Sequence, residues 1–206
     1  MKIQGENMDD GLPIRLVEHE GEALLYETFY GQKQADDYLQ QLENKIDWRQ
    51  DSMRMYGKDI ALPRLTASFG EQYVYSGIRH AATPIPPLLQ EIKEEVERVS
   101  GEVFNSTLLN LYRDGNDSMG WHSDAEDALG KNPVVASLSF GTPREFQFRH
   151  RVNKSETITT LLPHGSLLLM RGALQHNWVH QLPKRKKVAG IRINVTFRLV
   201  RTTSRF

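Results

Sequence analysis

The sequence predicts a mainly β protein with flanking helices, of the α+β class, in which helical segments come first and a β-rich core follows. Its 206 residues fit one large domain. Apolar residues recur at helical spacing before Gly101 and alternate with polar ones after it. Short β-rich segments punctuated by Gly, Pro and Asn then follow at close intervals, a pattern typical of an antiparallel sandwich or barrel.

Two helices are predicted in the first half of the chain. One lies between Gly31 and Asp47, and its apolar residues are Ala35, Tyr38, Leu39, Leu42 and Ile46. The other begins at about Pro87 and is predicted to stop at Gly101, because glycine is common just past a helix end. Its apolar residues are Leu88, Leu89, Ile92, Val96 and Val99.

The segment 51–77 between the helices is rich in aromatic residues but alternates poorly, which predicts hairpins or loops over the core. Residues 55–58 (Met-Tyr-Gly-Lys) predict a turn with an exposed aromatic tip. Tyr73 and Tyr75 share a face if that stretch is extended. Ordinary packing of aromatics on an edge strand explains these residues equally simply, and propensity alone favours it.

Six strands are predicted after Gly101, and together they form the β core. Their expected bounds are 106–112, 134–140, 145–150, 157–162, 166–171 and 191–200.

The composition excludes several classes of site. With no cysteine, the chain has no disulfides, thiolate zinc sites, iron–sulfur clusters or cysteine nucleophile, so any metal must bind to His, Asp or Glu. No apolar run approaches the roughly 20 residues of a membrane span. The first 20 residues have no apolar stretch typical of a signal peptide. We therefore expect a soluble cytoplasmic protein, or a nuclear one in a eukaryote.

The formal net charge of zero conceals a strong asymmetry. Residues 141–206 carry 13 Lys and Arg against only Glu145 and Glu156, a net charge of +11, so residues 1–140 carry −11. Such a division predicts a polyanion-binding surface on one part of the molecule. A scattered, solvated face is the alternative that charge counts alone favour.

His122 and Asp124 are the first candidates for metal binding. They are one residue apart, so both point to the same side of an extended backbone. His180 is the candidate third ligand. Two imidazoles and one carboxylate form a facial triad that leaves three positions open, which suits Fe(II) that binds a cosubstrate and O₂. His176 competes for this role, because on a helix it would form a zinc-type pair with His180.

The segment 192–198 is the most informative strand. Alternation places Arg192, Asn194, Thr196 and Arg198 on one face, while Ile193, Val195, Phe197 and the following Leu199 face the other way. The two Arg backbones lie about 20 Å apart, so their side chains must fold toward each other to hold a short diacid at its two ends. Asn110 and Tyr112 on another strand could supply further polar contacts. An ordinary half-exposed strand would show the same alternation.

These motifs closely resemble the AlkB family of iron and 2-oxoglutarate dependent dioxygenases. The matching motifs, in order, are Asn110-Leu-Tyr112, His122-Ser-Asp124, His180-Gln-Leu-Pro and Arg192-Ile-Asn194-Val-Thr-Phe-Arg198. The resemblance covers about residues 55–200. It is strongest toward the branch that repairs alkylated DNA, which residues 56–58, 63–64, 73–77 and 135–141 also resemble.

The resemblance implies a double-stranded β-helix, or jelly roll, within a single domain of residues 1–206. About residues 1–100 would form an N-terminal extension with a helical and hairpin nucleotide-recognition lid. About residues 101–200 would form the catalytic jelly-roll core. This order agrees with the helices and strands predicted from periodicity.

The resemblance also implies the site residues. His122, Asp124 and His180 would bind Fe(II), and 2-oxoglutarate would be held by Asn110, Tyr112, Arg192, Asn194 and Arg198. The substrate-binding residues would be Tyr56, Lys58, Tyr73, Tyr75, Glu126, Lys186 and Lys187. Tyr56 would stack as a finger and Tyr73 would contact the extruded base. Ala125 departs from the pattern, because related repair enzymes have an acidic residue directly after the ligand Asp.

The activity implied is oxidative demethylation of alkylated DNA bases such as 1-methyladenine and 3-methylcytosine. It uses Fe(II), 2-oxoglutarate and O₂ and releases formaldehyde, succinate and CO₂. The basic run 184–187, with Arg149, Arg151 and Lys154, would bind phosphates. The partner would be single- or double-stranded DNA, with RNA as a further candidate, and the protein is expected to be a monomer. The alternatives are an RNA or protein demethylase with the same cofactors, or a noncatalytic metal-binding β-barrel.

Overall fold

The computed structural model describes residues 12–201 except 56, 72, 76, 77 and 81, and describes only the backbone at 55, 73–75 and 78–80. A short 3₁₀ helix, Asp127–Leu129, joins two strands. The strands and α-helices of the described residues are, in order, β1 (Ile14–Val17), β2 (Glu22–Tyr26), α1 (Gln32–Lys45), β3 (Ser52–Met55), β4 (Lys58–Ala61), β5 (Leu65–Gly70), β6 (Tyr73–Tyr75), β7 (Ile78–His80), α2 (Pro87–Ser100), β8 (Ser106–Tyr112), β9 (Met119–His122), β10 (Val135–Gly141), β11 (Arg144–His150), β12 (Thr157–Leu162), β13 (Ser166–Arg171), α3 (Leu174–Asn177), β14 (Trp178–Leu182) and β15 (Arg192–Arg198).

Two antiparallel sheets form the core and confirm the predicted jelly roll. The larger has seven strands in the order β1-β2-β13-β10-β15-β8-β5, and the smaller has four in the order β12-β11-β14-β9. Their inner faces pack together through apolar side chains from both sheets, such as Val135 and Leu168 against Phe148 and Trp178. Two further hairpins, β3-β4 and β6-β7, come from the segment between the helices, as predicted.

Strand β15 is an inner strand of the larger sheet. It pairs antiparallel with β10 on one side and β8 on the other, and every one of its residues is buried. The prediction of two chemically distinct faces is confirmed, but the alternative of a half-exposed strand is wrong. The apolar face, with Ile193, Val195 and Phe197, belongs to the core under the helices. Leu199 lies beyond the strand and is exposed.

Helices α1 and α2 cover the outer face of the larger sheet. Leu89, Ile92 and Val96 of α2 are fully buried in the same apolar cluster as β15. Full burial of each such side chain contributes roughly 1.5–3 kcal/mol, so this face anchors the helix. The predicted stop at Gly101 is confirmed: this residue has a φ of 71°, a left-handed conformation that glycine adopts without strain.

Several elements were not predicted, and one motif has a different geometry from the one expected. The elements that the sequence analysis did not predict are strands β1, β2, β9 and β14 and the one-turn helix α3. Strand β9 ends at His122, so Asp124 lies in the loop that follows rather than two positions along a strand.

A buried arginine joins two loops at one end of the core. The Arg144 guanidinium donates hydrogen bonds to the carbonyls of Asp114, Asp117 and Pro183, at 3.0, 3.0 and 2.8 Å. Gly115 lies against the second loop so closely that a Cβ there would be 1.8 Å from the carbonyl oxygen of Arg185. The segment 183–188 is therefore held firmly against the segment 113–118.

The helices are too short and polar to cross a bilayer. None in the described part of the chain meets the length and hydropathy that a membrane span requires.

Candidate active site

A polar cavity lies between the two sheets. It encloses an empty volume of about 440 Å³, part of which opens to solvent. Its lining combines polar groups from β8, β9, β14 and β15 with a few apolar side chains. The lining residues are Leu108, Asn110, Tyr112, Met119, His122, Asp124, Ser137, Phe146, Met170, His180, Leu182, Arg192, Asn194, Thr196 and Arg198.

His122, Asp124 and His180 converge at this cavity. One potential ligand atom from each residue lies within 4.8 Å of the other two. His122 and His180 are directly paired across β9 and β14, which sets their ring centroids 4.3 Å apart. The Oδ2 atom of Asp124 is 3.8 Å from Nε2 of His180. The sheet thus brings together residues that are separated by 58 positions in the sequence.

The contacts of His122 and His180 determine which ring nitrogen of each could bind a metal. Nδ1 of His122 lies 2.9 Å from the carbonyl oxygen of Gly120 and donates to it, which leaves Nε2 unprotonated. His180 turns Nε2 toward Asp124, and its Nδ1 has no hydrogen-bond partner among the described residues. Two neutral imidazoles and one carboxylate form a donor set that fits Fe(II).

Burial sets the protonation state of this donor set. It lowers the pKa of His180 to about 3, aided by His122, and it lowers the pKa of His122 as well. Burial alone would raise the pKa of Asp124. The positive charge of Arg198 and the neighbouring His180 and His122 together lower it by more than burial raises it, so the net pKa is below its usual value. Near neutral pH the two imidazoles are therefore neutral and the carboxylate is ionised.

The metal-free protein is expected to lose stability in mild acid. The pKa of His180 is about 3 in the folded state and about 6.5 when unfolded, so the unfolded chain binds the proton first. Stability is full above pH 6.5 and falls as the pH drops toward 3, by about 2 kcal/mol at pH 5. Urea unfolding with a chelator present, at pH 7.5 and 5.0, measures the loss. His180→Gln should reduce it, and an equal loss in that variant would contradict the assignment.

Arg198 forms an ion pair with Asp124, one of the three candidate metal ligands. Its Nη2 donates to Oδ1 of Asp124 at 2.7 Å, and both side chains are about 95% buried or more. A buried ion pair of this kind fixes the rotation of the carboxylate. The expectation that Arg192 and Arg198 fold toward each other therefore needs revision, because Arg198 has a protein partner in the absence of any diacid.

Arg192 lies at the other end of strand β15. Its Nη2 donates to Oγ of Ser139 at 2.9 Å, and its guanidinium lies 5.3 Å from the ring centroid of Tyr112. Burial lowers the pKa of this guanidinium to about 10. Among the described residues no carboxylate is within ion-pair distance, and Nε has no partner. A buried cation without an anion is costly, so this position suits a bound carboxylate.

Asn110 and Asn194 are paired across β8 and β15 and belong to a network of side-chain hydrogen bonds in the cavity. Nδ2 of Asn110 faces Oδ1 of Asn194 at 3.5 Å, and Nδ2 of Asn194 donates to Oγ of Ser137 at 2.8 Å. Arg64, a buried residue outside the predicted cosubstrate-binding set, donates to Oδ1 of Asn110 at 2.8 Å. The structure therefore brings all five candidate cosubstrate residues to one cavity.

The candidate substrate residues are less completely described. Glu126 lies two residues past Asp124, and burial, then the charge of Asp124, raises its pKa. Lys58 is exposed at the start of β4. Tyr73 and Tyr75 belong to β6, so their backbone is extended as the prediction required. Tyr56 lies outside the described residues.

The basic run is more structured than a free loop. Lys184, Lys186 and Lys187 are exposed, but Arg185 forms an ion pair with Glu145. Arg149 packs 4.1 Å above the ring centroid of Trp121, and Arg151 donates to Oγ of Ser123 at 2.5 Å, so both arginines contact neighbours of His122 in the sequence.

His176 is not positioned as a metal ligand. It lies in α3, which ends at Asn177, while His180 lies in β14, so the two histidines do not share a helix. His176 is exposed, and its Nε2 accepts a hydrogen bond from the backbone N–H of Asn132 at 3.4 Å. The zinc-pair alternative is therefore wrong.

Similarity to known proteins agrees with this geometry. Residues 22–198 match the 2OG-Fe(II) oxygenase superfamily. Human DNA oxidative demethylase ALKBH2 is 34% identical over 93% of this chain and 78% of its own length. The chain belongs to the AlkB family of 2OG-Fe(II) oxygenases. Human alpha-ketoglutarate-dependent dioxygenase alkB homolog 3 is 40% identical over 85% of this chain and 65% of its own length.

Fold similarity extends to a more distant relative. The solved structure of OsALKBH1 has a TM-score of 0.62 and 18% identity, and the similarity covers 85% of this chain and 97% of that one. At this identity the likeness supports the jelly-roll fold alone. Family membership confirms the predicted dioxygenase class and its requirement for Fe(II), 2-oxoglutarate and O₂. It also disfavours the noncatalytic barrel.

Proposed function

We propose that this AlkB-family protein is a DNA oxidative demethylase that directly repairs alkylated bases such as 1-methyladenine and 3-methylcytosine. The observation that carries the proposal is a cavity that holds both a His-Asp-His donor set and a buried arginine, Arg192, which has no ion-pair partner among the described residues. The relatives named DNA oxidative demethylase ALKBH2, from cattle and human, cover 98% and 93% of this chain and support DNA as the substrate.

His122, Asp124 and His180 would hold the iron. When bound, Fe(II) with 2-oxoglutarate and O₂ supplies the oxidation of the N-methyl group, after which formaldehyde is lost from the base. The protein contributes two neutral imidazoles and one oriented carboxylate in a site largely shielded from water. Arg198 keeps the carboxylate of Asp124 ionised and fixes its orientation.

Arg192 would bind the distal carboxylate of 2-oxoglutarate. Its planar guanidinium can meet a carboxylate with two parallel hydrogen bonds, and the buried surroundings strengthen that contact. Tyr112 can add its hydroxyl, which faces Met119 Sδ, a weak acceptor, from 3.9 Å. Asn110 and Asn194 line the cavity between the two ends and would contact the rest of the diacid.

Five candidate residues would recognise the extruded base. Glu126 offers a carboxyl oxygen, Oε2, that has no hydrogen-bond partner among the described residues. An acidic group and aromatic faces both favour methylated bases that carry positive charge. Tyr56 would stack on the base and Tyr73 would contact it. Tyr75 and Lys58 would also contact the substrate, and they lie in β6 and β4.

Lys186 and Lys187 would bind DNA phosphates, and reversing their charge tests this. Lys186→Glu with Lys187→Glu should weaken binding and reduce the slope of log K against log salt by about 2, because each phosphate contact contributes roughly 0.9. Fluorescence anisotropy with a methylated oligonucleotide measures both effects.

A matched control for this experiment is Lys33→Glu with Lys45→Glu. It makes the same charge change on α1, across the larger sheet from the cavity. Metal binding should be unaffected in both double variants. Equal salt slopes in the two double variants would show that the 184–187 run is not the DNA surface.

Mass spectrometry of paired oligonucleotides tests the function directly. Single-stranded, double-stranded and RNA versions of one sequence, each with 1-methyladenine or 3-methylcytosine, are incubated with Fe(II), 2-oxoglutarate and O₂. The proposal expects the DNA to lose one methyl group with matching formation of succinate. Turnover of RNA alone, or succinate without demethylation of DNA, would contradict it.

A monomeric state, and a location in the cytoplasm or in the nucleus of a eukaryotic cell, complete the proposal. Sedimentation at micromolar concentration tests the first, and imaging of the tagged full chain tests the second.

A further inference from the structure

Asp124 is the ligand whose position strand pairing does not explain. His122 and His180 are fixed opposite each other because β9 and β14 are hydrogen-bonded neighbours. Asp124 lies two residues past the end of β9, in a loop without regular secondary structure. Nevertheless Asp124 is only 1% exposed, and one of its carboxylate oxygens lies within 4.8 Å of a ring nitrogen of each histidine. Something other than the sheet must hold its backbone.

Gln175 provides that contact. Its Oε1 accepts a hydrogen bond from the backbone N–H of Asp124 at 2.9 Å, across 51 residues of sequence. The side chain is completely buried, and its Nε2 lies 3.8 Å from Sδ of Met170, a residue that lines the cavity. Because the backbone N–H can only donate, the amide oxygen must face Asp124, which fixes the orientation of the amide.

Two residues thus hold Asp124 from different sides. Gln175 binds its backbone, and Arg198 binds Oδ1 of its carboxylate at 2.7 Å, which leaves Oδ2 on the side of His180. Gln175 lies in α3, and β14 follows that helix directly, so five positions separate Gln175 from His180. The contact therefore joins the loop of the second ligand to the segment that carries the third.

We propose that Gln175 is a positioning residue, which holds Asp124 in place for metal binding before any metal arrives. This rests on the proposed assignment of iron to His122, Asp124 and His180. Without the acceptor, the buried N–H of Asp124 loses its partner and the loop 123–126 is released. Partners that orient metal ligands typically contribute about tenfold to hundredfold to metal affinity, so a loss of that size is expected.

The test measures Mn(II) binding to the full chain by electron paramagnetic resonance, with neither 2-oxoglutarate nor DNA present. Gln175→Met preserves the volume but removes the acceptor, and should raise the Kd about tenfold to hundredfold. Gln175→Glu keeps an acceptor oxygen at the same reach, and its Kd should stay within about threefold of the parent value. Circular dichroism verifies that each variant is folded at the temperature used.

Gln181→Met is the matched control. Gln181 is one residue past His180, and its Nε2 donates to Oε1 of Gln147 at 2.6 Å, away from the metal ligands. Its Kd should equal that of the parent. If Gln175→Met proves unstable, Gln175→Asn replaces it, because that variant keeps the amide but withdraws its oxygen by one methylene.

Three results would overturn the proposal. One is an unchanged Kd in the variants without a correctly placed acceptor, and another is an equal loss in Gln175→Glu. The third is an equal loss in Gln181→Met, which would indicate general loosening of the sheet. Failure of the parent protein to bind Mn(II) would instead overturn the metal assignment on which this inference depends.

Discussion

His122→Ala is expected to reduce succinate formation by at least about a thousandfold, because a catalytic metal is worth several kcal/mol of barrier and each 1.36 kcal/mol is tenfold in rate. The variant removes one of three donor atoms. His122 is partly exposed at the mouth of the cavity, so its loss should leave the apolar core intact. Anaerobic Fe(II) and 2-oxoglutarate binding, followed by succinate measurement after O₂ and methylated DNA are added, tests both steps.

His176→Ala is the control for this experiment. It removes an exposed imidazole that accepts a hydrogen bond from the backbone N–H of Asn132 and does not line the cavity. Its turnover should match that of the parent. If His122→Ala kept turnover while His176→Ala lost it, the ligand assignment would have to be exchanged.

Arg192→Met is expected to raise the KM for 2-oxoglutarate by about thirtyfold or more. Removing one partner of a buried charge pair costs about 2–5 kcal/mol, and each 1.4 kcal/mol is tenfold in affinity. In the absence of cosubstrate, the variant should be at least as stable as the parent protein, because the substitution removes a buried cation whose pKa is already lowered by burial. Steady-state kinetics and thermal unfolding without cosubstrate measure the two effects.

Two further variants separate the charge from the geometry. Arg192→Lys keeps the cation but loses the planar pair of donors, so its KM should lie between those of the parent and Arg192→Met. Arg171→Met removes a half-exposed arginine that pairs with Glu22 at the far side of the sheet, and should leave the KM unchanged. Lower stability together with an unchanged KM in Arg192→Met would place the cosubstrate elsewhere.

The elements that could be predicted well are those in which the spacing of apolar residues shows directly which face of the element is buried. Strand β15 alternates strictly, and residues 109–112 of β8 alternate in the same way, because one face of each strand meets the helices and the other meets the cavity. Helix α2 has an apolar stripe and a glycine after its last turn, so both its identity and its end could be predicted.

The missed elements owe their structure to distant partners. Strand β2 has an uninformative five-residue sequence and exists because it pairs with β13, more than 140 residues later. Strand β9 (Met-Gly-Trp-His) has low β propensity, but β14 provides the pairing edge. Helix α3 is a single turn, which is too short for a periodic pattern.

The same distinction applies to the site. The ligand and cosubstrate candidates could be found because their residue types and spacing match a family pattern. The roles of Arg64, Arg144 and Gln175 could not be predicted, because only the fold brings near the carbonyls, N–H and amide that they bind. No local pattern in the sequence distinguishes these buried polar residues from surface ones.

The anchoring of the basic segment 183–188 has a consequence for the thermodynamics of DNA binding. Arg144, Gly115 and the Arg185–Glu145 ion pair hold its backbone in the free protein. Ordering a flexible segment costs roughly 1–2 kcal/mol of backbone entropy per residue, and here that cost is met when the chain folds. Phosphate binding to this segment should therefore show little of the unfavourable entropy that accompanies loops which become ordered on contact with DNA.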